Sequence, residues 1–451
     1  MSNLPPELNC SNLEEIEKHL KKVNTISIYE SNTGEGLRSP QQFIKAYPNL
    51  KGIRITRDYM KYSNRTNLVR LNQQVISLSL LKGCRSESFS ITDYGSLRNL
   101  RILKIHQFRI PLRIFDILDH IPTLEELQIS TLAPLEFNRA DTDNDSGQLK
   151  TYPNINCLKI KFKNPDTQSQ LLTLKDIKNK FPNLKSLGYL ATLNTQEPRM
   201  GLQPPPPPPP QREVVSVLNL PFIGLTTPQF QKLTHLSIHD LTEYSAKSIG
   251  QHVPNLEHLT VHECSFSKNN WMVKGYQYIL TENMYPNLKT LIFDFDHRGN
   301  GQGVELFKTQ PFENPSESLS ATNSITCNLP NLEHLGFGRL EFTLDVLFVL
   351  DQLPRLQRLS IRLEFFYGIE ALNDTHHIIT SLCVLEIRFD QLIKDIHKIG
   401  RLFEIFPNLR AVRIFDPTTA YKATIRELKK QYPNTTFLMN NQAPLFALGG
   451  S

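Results

Sequence analysis

The sequence predicts an α/β solenoid, a repeat fold in which short parallel strands form one sheet and helices or loops return the chain between them. Three observations favour this fold. A short phrase recurs along almost the whole chain, its copies are evenly spaced over long stretches, and the segments between several copies have helical periodicity. A chain of 451 residues otherwise suggests about three domains of roughly 150 residues each. Repeats instead extend a single structure in one dimension.

The recurring phrase is an apolar residue, then Pro-Asn-Leu, two variable residues, and two apolar residues separated by one variable residue. The clear copies have their first Leu at Leu50, Leu124, Leu184, Leu256, Leu288, Leu332, Leu356 and Leu409. Weaker copies begin at Val23, Val75, Leu100, Ile155, Leu233 and Leu382, with a further candidate at Val215. Consecutive copies over 50–124 and over 332–409 lie 24 to 27 residues apart, which is inside the range of leucine-rich repeats.

Strand alternation explains the spacing of the apolar residues. Because successive side chains of a strand point to opposite faces, the last two apolar residues of LxxLxL point to the same face. Stacked copies then form a curved horseshoe with a parallel β-sheet on its concave face, an apolar core behind the sheet, and helices and loops on the convex face. The return segments 392–406 and 425–432 have the apolar spacing of amphipathic helices, and the Pro of the next phrase ends each helix.

Two segments resemble the cysteine-containing subfamily of leucine-rich repeats. Leu78 to Cys84 resembles the LxLxxC pattern of that subfamily and is followed by Ile-Thr-Asp at 91–93, and Leu259 to Cys264 is a second partial match. The subfamily is common in F-box substrate receptors of ubiquitin ligases, where the solenoid holds the substrate and an N-terminal F-box binds the adaptor Skp1. The resemblance therefore implies a substrate-recognition adaptor in ubiquitination with a Skp1-type partner.

The N-terminus carries only the opening of an F-box pattern. Residues 4–8 (LPPEL) resemble that opening, but the first strand follows near residue 23, so a complete three-helix F-box does not fit. We expect residues 1–22 to form an N-terminal cap helix or a degenerate F-box-like remnant. Residues 23–440 are then a solenoid of about 14–15 repeats, and residues 441–451 a disordered tail.

Extra chain interrupts the even spacing in four places, and we predict insertions at 131–151, 193–213, 265–285 and 296–328. Insertions in a solenoid lie at one edge, which is often the binding edge. The second insertion contains the prolines 204–210, a stiff polyproline II rod that can present Pro204, Pro207 and Pro210 to profilin, SH3 or WW modules. The protein is then a structural or cytoskeletal platform. Alternatively, the run is a low-complexity expansion in an exposed loop.

The outward strand positions of the concave face carry many basic and imidazole side chains. The residues that we nominate there as partner-binding are His106, Lys161, His235, His239, His258, His262, Asp294, Arg358, Arg362, Arg388 and Arg413. Toward the C-terminus this set is rich in arginine, whose planar guanidinium pairs bidentately with carboxylate or phosphate groups. We therefore expect a protein partner with an acidic surface. The simpler alternative is that these side chains only solvate exposed strand positions, among acidic residues such as Glu257, Glu333 and Glu386.

The histidines also raise the question of a metal. Aligned repeats place His235 beside His258 and His239 beside His262, with Asp294 next to His262, and imidazole and carboxylate groups are metal ligands. Four residues separate the two pairs, about 13 Å along a strand, so the pairs cannot share one ion. We predict no metal site and interpret the histidines as a recognition surface that gains charge below neutral pH.

Composition and motifs exclude several classes of protein. The chain is 39% hydrophobic with a net charge of +6, has no apolar run long enough for a bilayer, and is too weakly basic for a dedicated nucleic-acid binder. Walker, GxGxxG, HExxH and GxSxG motifs are missing, which favours a non-enzymatic protein without a cofactor. The six cysteines form no CxxC pair and no export signal is visible, so we expect the protein in the cytoplasm or nucleus. We also expect a monomer.

Overall fold

The structure is a computed structural model, and it describes residues 25–28, 51–56, 75–81, 99–108, 112–131, 135–136, 150–163, 174–192, 230–239, 241, 243–263, 271–295, 327–337, 344–363, 378–389, 399–415 and 421–440. The chain divides into two compact units, residues 1–221 and 222–451. Several predicted features lie outside the described residues: the cap at 1–22, Cys84, the polyproline run at 204–210, Val215, Cys264, and the tail at 441–451.

The first unit contains one long parallel sheet and one short strand pair among its described residues. The strands of the long sheet follow chain order and are Thr25–Ile28 (β1), Gly52–Thr56 (β2), Ser77–Leu81 (β3), Ile102–Phe108 (β4), Glu126–Thr131 (β6), Cys157–Lys163 (β8) and Ser186–Thr192 (β9). The short pair is Leu112–Arg113 (β5) with Leu135–Glu136 (β7), and the latter lies in the insertion predicted at 131–151. Two helices return the chain, Ile114–His120 (α1) and Leu174–Lys180 (α2).

The second unit continues the same pattern. Its described strands are His235–His239 (β10), His258–Glu263 (β11), Thr290–Phe295 (β12), His334–Phe337 (β13), Arg358–Leu363 (β14), Val384–Phe389 (β15), Ala411–Phe415 (β16) and Thr436–Asn440 (β17). Each is parallel to the next along the chain. The helices are Glu243–His252 (α3), Trp271–Thr281 (α4), Leu344–Asp351 (α5), Ile399–Ile405 (α6) and Tyr421–Gln431 (α7).

This arrangement confirms the predicted leucine-rich-repeat fold. Apart from Val215, every predicted copy from Val23 to Leu409 is followed two residues later by the first residue of a strand in the long sheets. One further strand, β17, was not predicted, because the phrase that precedes it (YPNTT) has no leucine. The repeat therefore continues one strand beyond its last recognisable leucine.

Strands pair in a register that keeps equivalent repeat positions side by side. In the second unit, Leu236 pairs with Leu259, which pairs with Leu291, which pairs with Leu335. All four side chains are buried, whereas the positions between them point to the opposite face. In the first unit the register shifts once, between His106 and Phe108 of β4.

The helices pack on the leucine face of the sheet. Tyr276 of α4 contacts Phe293 of β12 edge to face at 4.8 Å between ring centroids, and Phe293 stacks on Phe337 of β13 at 5.7 Å. Helix α4 lies within the predicted insertion at 265–285, and its Ile279 and Leu280 are fully buried. Much of that extra chain is therefore a core helix.

The described helices are short, and each ends close to the next repeated phrase. Helix α7 buries Ile425 and Leu428 as predicted and ends at Gln431, just before Pro433. Helix α6 begins at Ile399 within the predicted segment 392–406. None of the helices in the described ranges has the length and apolar character that a membrane crossing needs.

The asparagine of the repeated phrase joins several described copies to the ones before them. Its amide donates to the carbonyl oxygen at the Pro position of the preceding copy: Asn154 to Pro122 (3.0 Å), Asn183 to Pro153 (2.8 Å), Asn255 to Gln231 (2.8 Å), Asn287 to Pro254 (3.2 Å), Asn331 to Pro286 (2.6 Å) and Asn408 to Thr380 (2.8 Å). We call this series the asparagine ladder. It explains why Asn follows Pro in the phrase: Pro ends the helix, and Asn satisfies a carbonyl of the previous turn.

Candidate functional site

The strand positions that alternate with the buried leucines form what we call the outward face of each unit. In the second unit this face carries two groups of polar side chains. One is the histidine group on β10 and β11, which contains His235, His258 and His262. The other, which we call the Glu386 network, consists of His334, Arg358, Ser360, Glu386 and Arg413 on β13 to β16.

The first histidine pair is in direct contact. The sheet pairs His235 with His258, as the repeat alignment predicts, and the two rings stack with centroids 4.1 Å apart and planes inclined by 20°. Thr234 Oγ1 lies 2.8 Å from His235 Nδ1, and Lys289 Nζ binds the neighbouring Glu257 carboxylate at 3.1 Å. The stack therefore lies beside an ion pair at the N-terminal end of the strands.

Stacking and burial make the second charge on this pair costly. Partial burial lowers the pKa of His258, and the adjacent His235 lowers it further, against the opposing effect of Glu257. Two imidazolium ions at this separation repel each other, so the pair resists double protonation. The stack is therefore a flat surface that disfavours a second positive charge.

The second histidine pair is defined by its register. His239 pairs with His262, and His262 pairs with Asp294, again as predicted, while His262 Nε2 lies 3.1 Å from Ser237 Oγ. The side chains of His239 and Asp294 lie outside the described atoms. Among the described residues, no group of three or more His, Cys, Asp and Glu side chains is placed to hold a metal ion.

The Glu386 network is a set of charged hydrogen bonds across four neighbouring strands. Glu386 Oε1 accepts from Arg358 Nη2 at 2.5 Å and from Arg413 Nη1 at 2.9 Å, and Oε2 accepts from Ser360 Oγ at 2.7 Å. His334 Nε2 lies 2.7 Å from the same hydroxyl. Register places these residues together, since Ser360 pairs with Glu386 and Glu386 pairs with Arg413.

Burial makes this network more than a surface ion pair. The Glu386 side chain is only 1% exposed, although it belongs to the outward face, whereas Arg358 and Arg413 remain 40% and 38% exposed. Burial raises the pKa of Glu386, but hydrogen bonds from Arg358, Ser360 and Arg413 outweigh that effect and hold the pKa below its usual range. The carboxylate is thus a buried charge that holds two half-exposed guanidinium groups.

His334 is neutral in this network. Burial, and then the positive charge of Arg358, lower its pKa to about 4. Ser360 has one hydroxyl proton, which it donates to Glu386, so the contact with His334 is a bond from Nε2–H to the Ser360 oxygen. The order His-Ser-Glu differs from a nucleophilic triad, in which the histidine lies between the hydroxyl and the acid and accepts the hydroxyl proton. Ser360 is also fully buried, so we interpret the group as structural support.

The predicted site residues are thus found in different situations. Arg358 and Arg413 are bound to Glu386, whereas for Arg362 and Arg388 the structure describes the backbone pairing but not the side chains. Sequence analysis treats Glu386 as a solvated acid. Repeat alignment places Ser360 and Arg413 beside it, and the structure adds that Glu386 is buried and hydrogen-bonded to both.

In the first unit the outward face is basic. Lys104 Nζ lies 3.2 Å from Glu126 Oε1, which also accepts from Gln128 Nε2 at 2.6 Å. The predicted residues His106 and Lys161 lie on β4 and β8, and the Lys161 side chain is exposed. The pKa of Cys157 on the same face is raised by burial and then by Glu126, so its thiol is not activated as a nucleophile.

Comparison with known proteins adds the following findings. No family model matches the chain, and no curated protein matches it. Among solved structures, a leucine-rich-repeat protein of Leptospira interrogans is 15% identical with a TM-score of 0.34, and the match covers 94% of this chain and 98% of that protein.

Two further solved structures are complexes. Mouse RP105 with MD-1 is 13% identical with a TM-score of 0.29, covering 96% of this chain and 55% of that one. The plant peptide hormone receptor RGFR1 with RGF2 is 12% identical with a TM-score of 0.28, covering 92% of this chain and 76% of that one. This chain thus corresponds to about half the length of the mouse protein. The fold assignment rests on the strand register and the repeated phrase.

Proposed function

We propose that the protein is a non-enzymatic scaffold that binds another protein on the outward face of its sheet. The observation that carries this proposal is the register of the strands. Because equivalent positions pair without offset, the outward side chains stand in rows about 4.8 Å apart. The rows are largely polar or charged, with apolar residues such as Ile292 and Val384 among them, and they lie on a sheet whose other face is filled by the core.

The chemistry of the face favours binding over catalysis. Several basic and imidazole side chains are held in defined positions by cross-strand contacts, namely the His235–His258 stack, the Lys104–Glu126 ion pair, and the bonds of Arg358 and Arg413 to Glu386. Side chains that are already ordered lose little conformational entropy when a partner binds. Such a preorganised, mostly basic surface suits a partner with an acidic surface.

The test compares glutamate substitutions on the outward face with one on the helical side. Full-length protein carrying Lys161→Glu or His235→Glu serves as bait in affinity purification with mass spectrometry, beside wild type and Lys430→Glu. Lys430 is an exposed residue of α7, so its reversal is a matched control. We expect specific partners to be lost from at least one outward-face variant and kept by Lys430→Glu. Retention of every wild-type partner by both outward-face variants would refute the proposal.

A finer proposal is that the scaffold acts as a substrate-recognition adaptor in ubiquitination. Its support is the resemblance of Leu78 to Cys84 and Leu259 to Cys264 to the cysteine-containing repeats of F-box receptors. Co-purification of Skp1 or a cullin with full-length protein tests it, with deletion of residues 203–211 as a parallel variant. Skp1 present in both preparations supports the adaptor. Absence of Skp1, together with loss of partners on deletion, supports the polyproline platform instead.

A further inference from the structure

We infer that Arg358 and Arg413 form one anion-binding fork for a carboxylate of an acidic protein segment, and that buried Glu386 is the positioning residue of this fork. The inference rests on the proposed function, because it assigns the partner chemistry of one place on the outward face. Sequence analysis nominates the two arginines separately, since they lie on different strands with β15 between them.

Arg358 and Arg413 lie on strands that are not neighbours in the sheet. Strands β14 and β16 are two strand spacings apart, about 10 Å, so strand geometry alone does not bring their arginine side chains together. Arg358 Nη2 and Arg413 Nη1 nevertheless contact the same oxygen, Glu386 Oε1. Two donors within hydrogen-bonding distance of one oxygen lie about 5 Å apart or less. Glu386 thus gathers two positive groups that would otherwise separate by repulsion.

A guanidinium group has five N–H donors, and the described contacts with Glu386 use one from each arginine. Among the described atoms, Arg358 Nε is buried without a hydrogen-bond partner. Glu386 does not bind solvent or a partner itself, because its side chain is 1% exposed and both its oxygens already accept hydrogen bonds. The donors left over therefore belong to the two half-exposed guanidinium groups.

Two arginines and one glutamate leave one net positive charge, and His334 beside them adds none at neutral pH because burial and Arg358 lower its pKa to about 4. The fully buried Ser360 donates a hydrogen bond to Glu386 and so fixes the orientation of the Glu386 carboxylate. A carboxylate that approaches from outside finds positive charge and ordered N–H donors together, which is the arrangement that binds carboxylates strongly.

The test separates positioning from simple attraction. A fluorescein-labelled polyglutamate peptide is titrated with the full chain at low ionic strength and followed by fluorescence anisotropy. Glu386→Gln makes the face more positive by one charge, so general attraction predicts tighter binding. If Glu386 positions the fork, we expect binding weaker by about tenfold, the loss typical of a charge-assisted hydrogen bond. Tighter or unchanged binding by Glu386→Gln would overturn the inference.

Charge-conserving variants keep the test decisive if Glu386→Gln does not fold. Arg358→Lys and Arg413→Lys retain the charge but remove the planar fork, and we expect each to weaken peptide binding by about tenfold. Arg410→Lys is the matched control, since Arg410 is an exposed arginine just before β16. Circular dichroism melts verify that the variants are folded. Equal affinities for Arg413→Lys and Arg410→Lys, or no peptide binding by wild type, would contradict the fork.

The two proposals can fail separately. Loss of cellular partners in the Lys161→Glu or His235→Glu variants, with unchanged peptide binding in the Arg358→Lys and Arg413→Lys variants, would leave the scaffold standing and remove the fork. Loss of peptide binding in the arginine variants, with all cellular partners retained by both outward-face variants, would leave the fork as a carboxylate site and remove the scaffold.

Discussion

Two helical glycines lead to opposite predictions for the same substitution. Replacing a helical glycine by alanine normally stabilises a protein by about 0.4–1 kcal/mol, because alanine restricts the unfolded chain and favours the helix. At Gly250 in α3, however, an added Cβ meets Met284 Cβ at 2.9 Å and Tyr285 Cζ at 3.5 Å. A Cβ cannot rotate away from its own backbone, so the helix and the 284–285 turn must separate.

Overpacking of this kind costs about 1–3 kcal/mol. After the gain in helix propensity is deducted, we expect Gly250→Ala to lower the free energy of unfolding by roughly 1–2 kcal/mol. Gly400 in α6 is the matched control, because its added Cβ meets only Tyr432 Oη at 3.8 Å and Leu428 Cδ2 at 4.0 Å. Gly400→Ala should therefore stabilise the protein by about 0.4–1 kcal/mol.

Urea unfolding followed by circular dichroism gives the sign of each effect, and hydrogen exchange of the α3 amides localises it. Because repeat proteins can unfold in parts, the local exchange rates are the stricter measurement. The reasoning fails if Gly250→Ala is as stabilising as Gly400→Ala, or if the α3 amides of Gly250→Ala exchange no faster than those of wild type.

Three other perturbations follow from the described contacts. Tyr285→Phe removes a buried hydroxyl that donates to the Ala246 carbonyl, and should lower the free energy of unfolding in urea by about 1–3 kcal/mol. Tyr278→Phe removes a part-buried hydroxyl that donates to a methionine sulfur, and should lower it much less. Equal losses of stability in the two variants would count against this assignment. The pKa of His334 is about 4 in the folded protein and 6.5 ordinarily, so the unfolded chain takes up the proton first as the pH falls. Stability should therefore decrease between pH 6.5 and pH 4, by up to about 3 kcal/mol, and then level off at this site; a His334→Gln variant that kept the same pH dependence of unfolding would refute this. Asn331→Ala breaks one bond of the asparagine ladder and should lower the free energy of unfolding by about 1 kcal/mol, which an unchanged urea midpoint would contradict.

The fold was largely predictable because each copy of the phrase carries the same local signals for a helix end and a strand. Phrases such as YPNLKTLIF at 285–293 combine a helix-ending Pro with alternating apolar residues, and the register then follows from stacking equivalent positions. Prediction was poorer where the phrase loses its leucine, as before β17, and where a helix occupies a long interval, as α4 does. In both places tertiary packing supplies what local pattern does not show.

The strand positions of the candidate site residues were predictable, but the burial and bonding of Glu386 were not. Alternation correctly places His235, His258, Arg358 and Arg413 on the outward face. It does not show that Glu386 is buried among them, because burial there depends on side chains from neighbouring strands that are 24 or more residues away in the chain. A search for acids whose neighbours at equivalent repeat positions are a hydroxyl on one side and a base on the other is the sequence signal that can find such a residue.

The asparagine ladder also bears on how a chain of this kind changes length. Each rung runs from the asparagine amide of one copy to the carbonyl oxygen at the Pro position of the preceding copy, so a repeat that has Pro-Asn at both ends carries matching donors and acceptors. Two deletions of the same length show the difference. Removal of 331–354 places Arg355 after Pro330, so the new junction has no asparagine. Removal of 332–355 joins Asn331 to Leu356, so the new junction has the complete Pro-Asn-Leu phrase. We therefore expect a deletion or duplication in phase with the rungs to keep the asparagine bond at the new junction, so that the sheet gains or loses one strand.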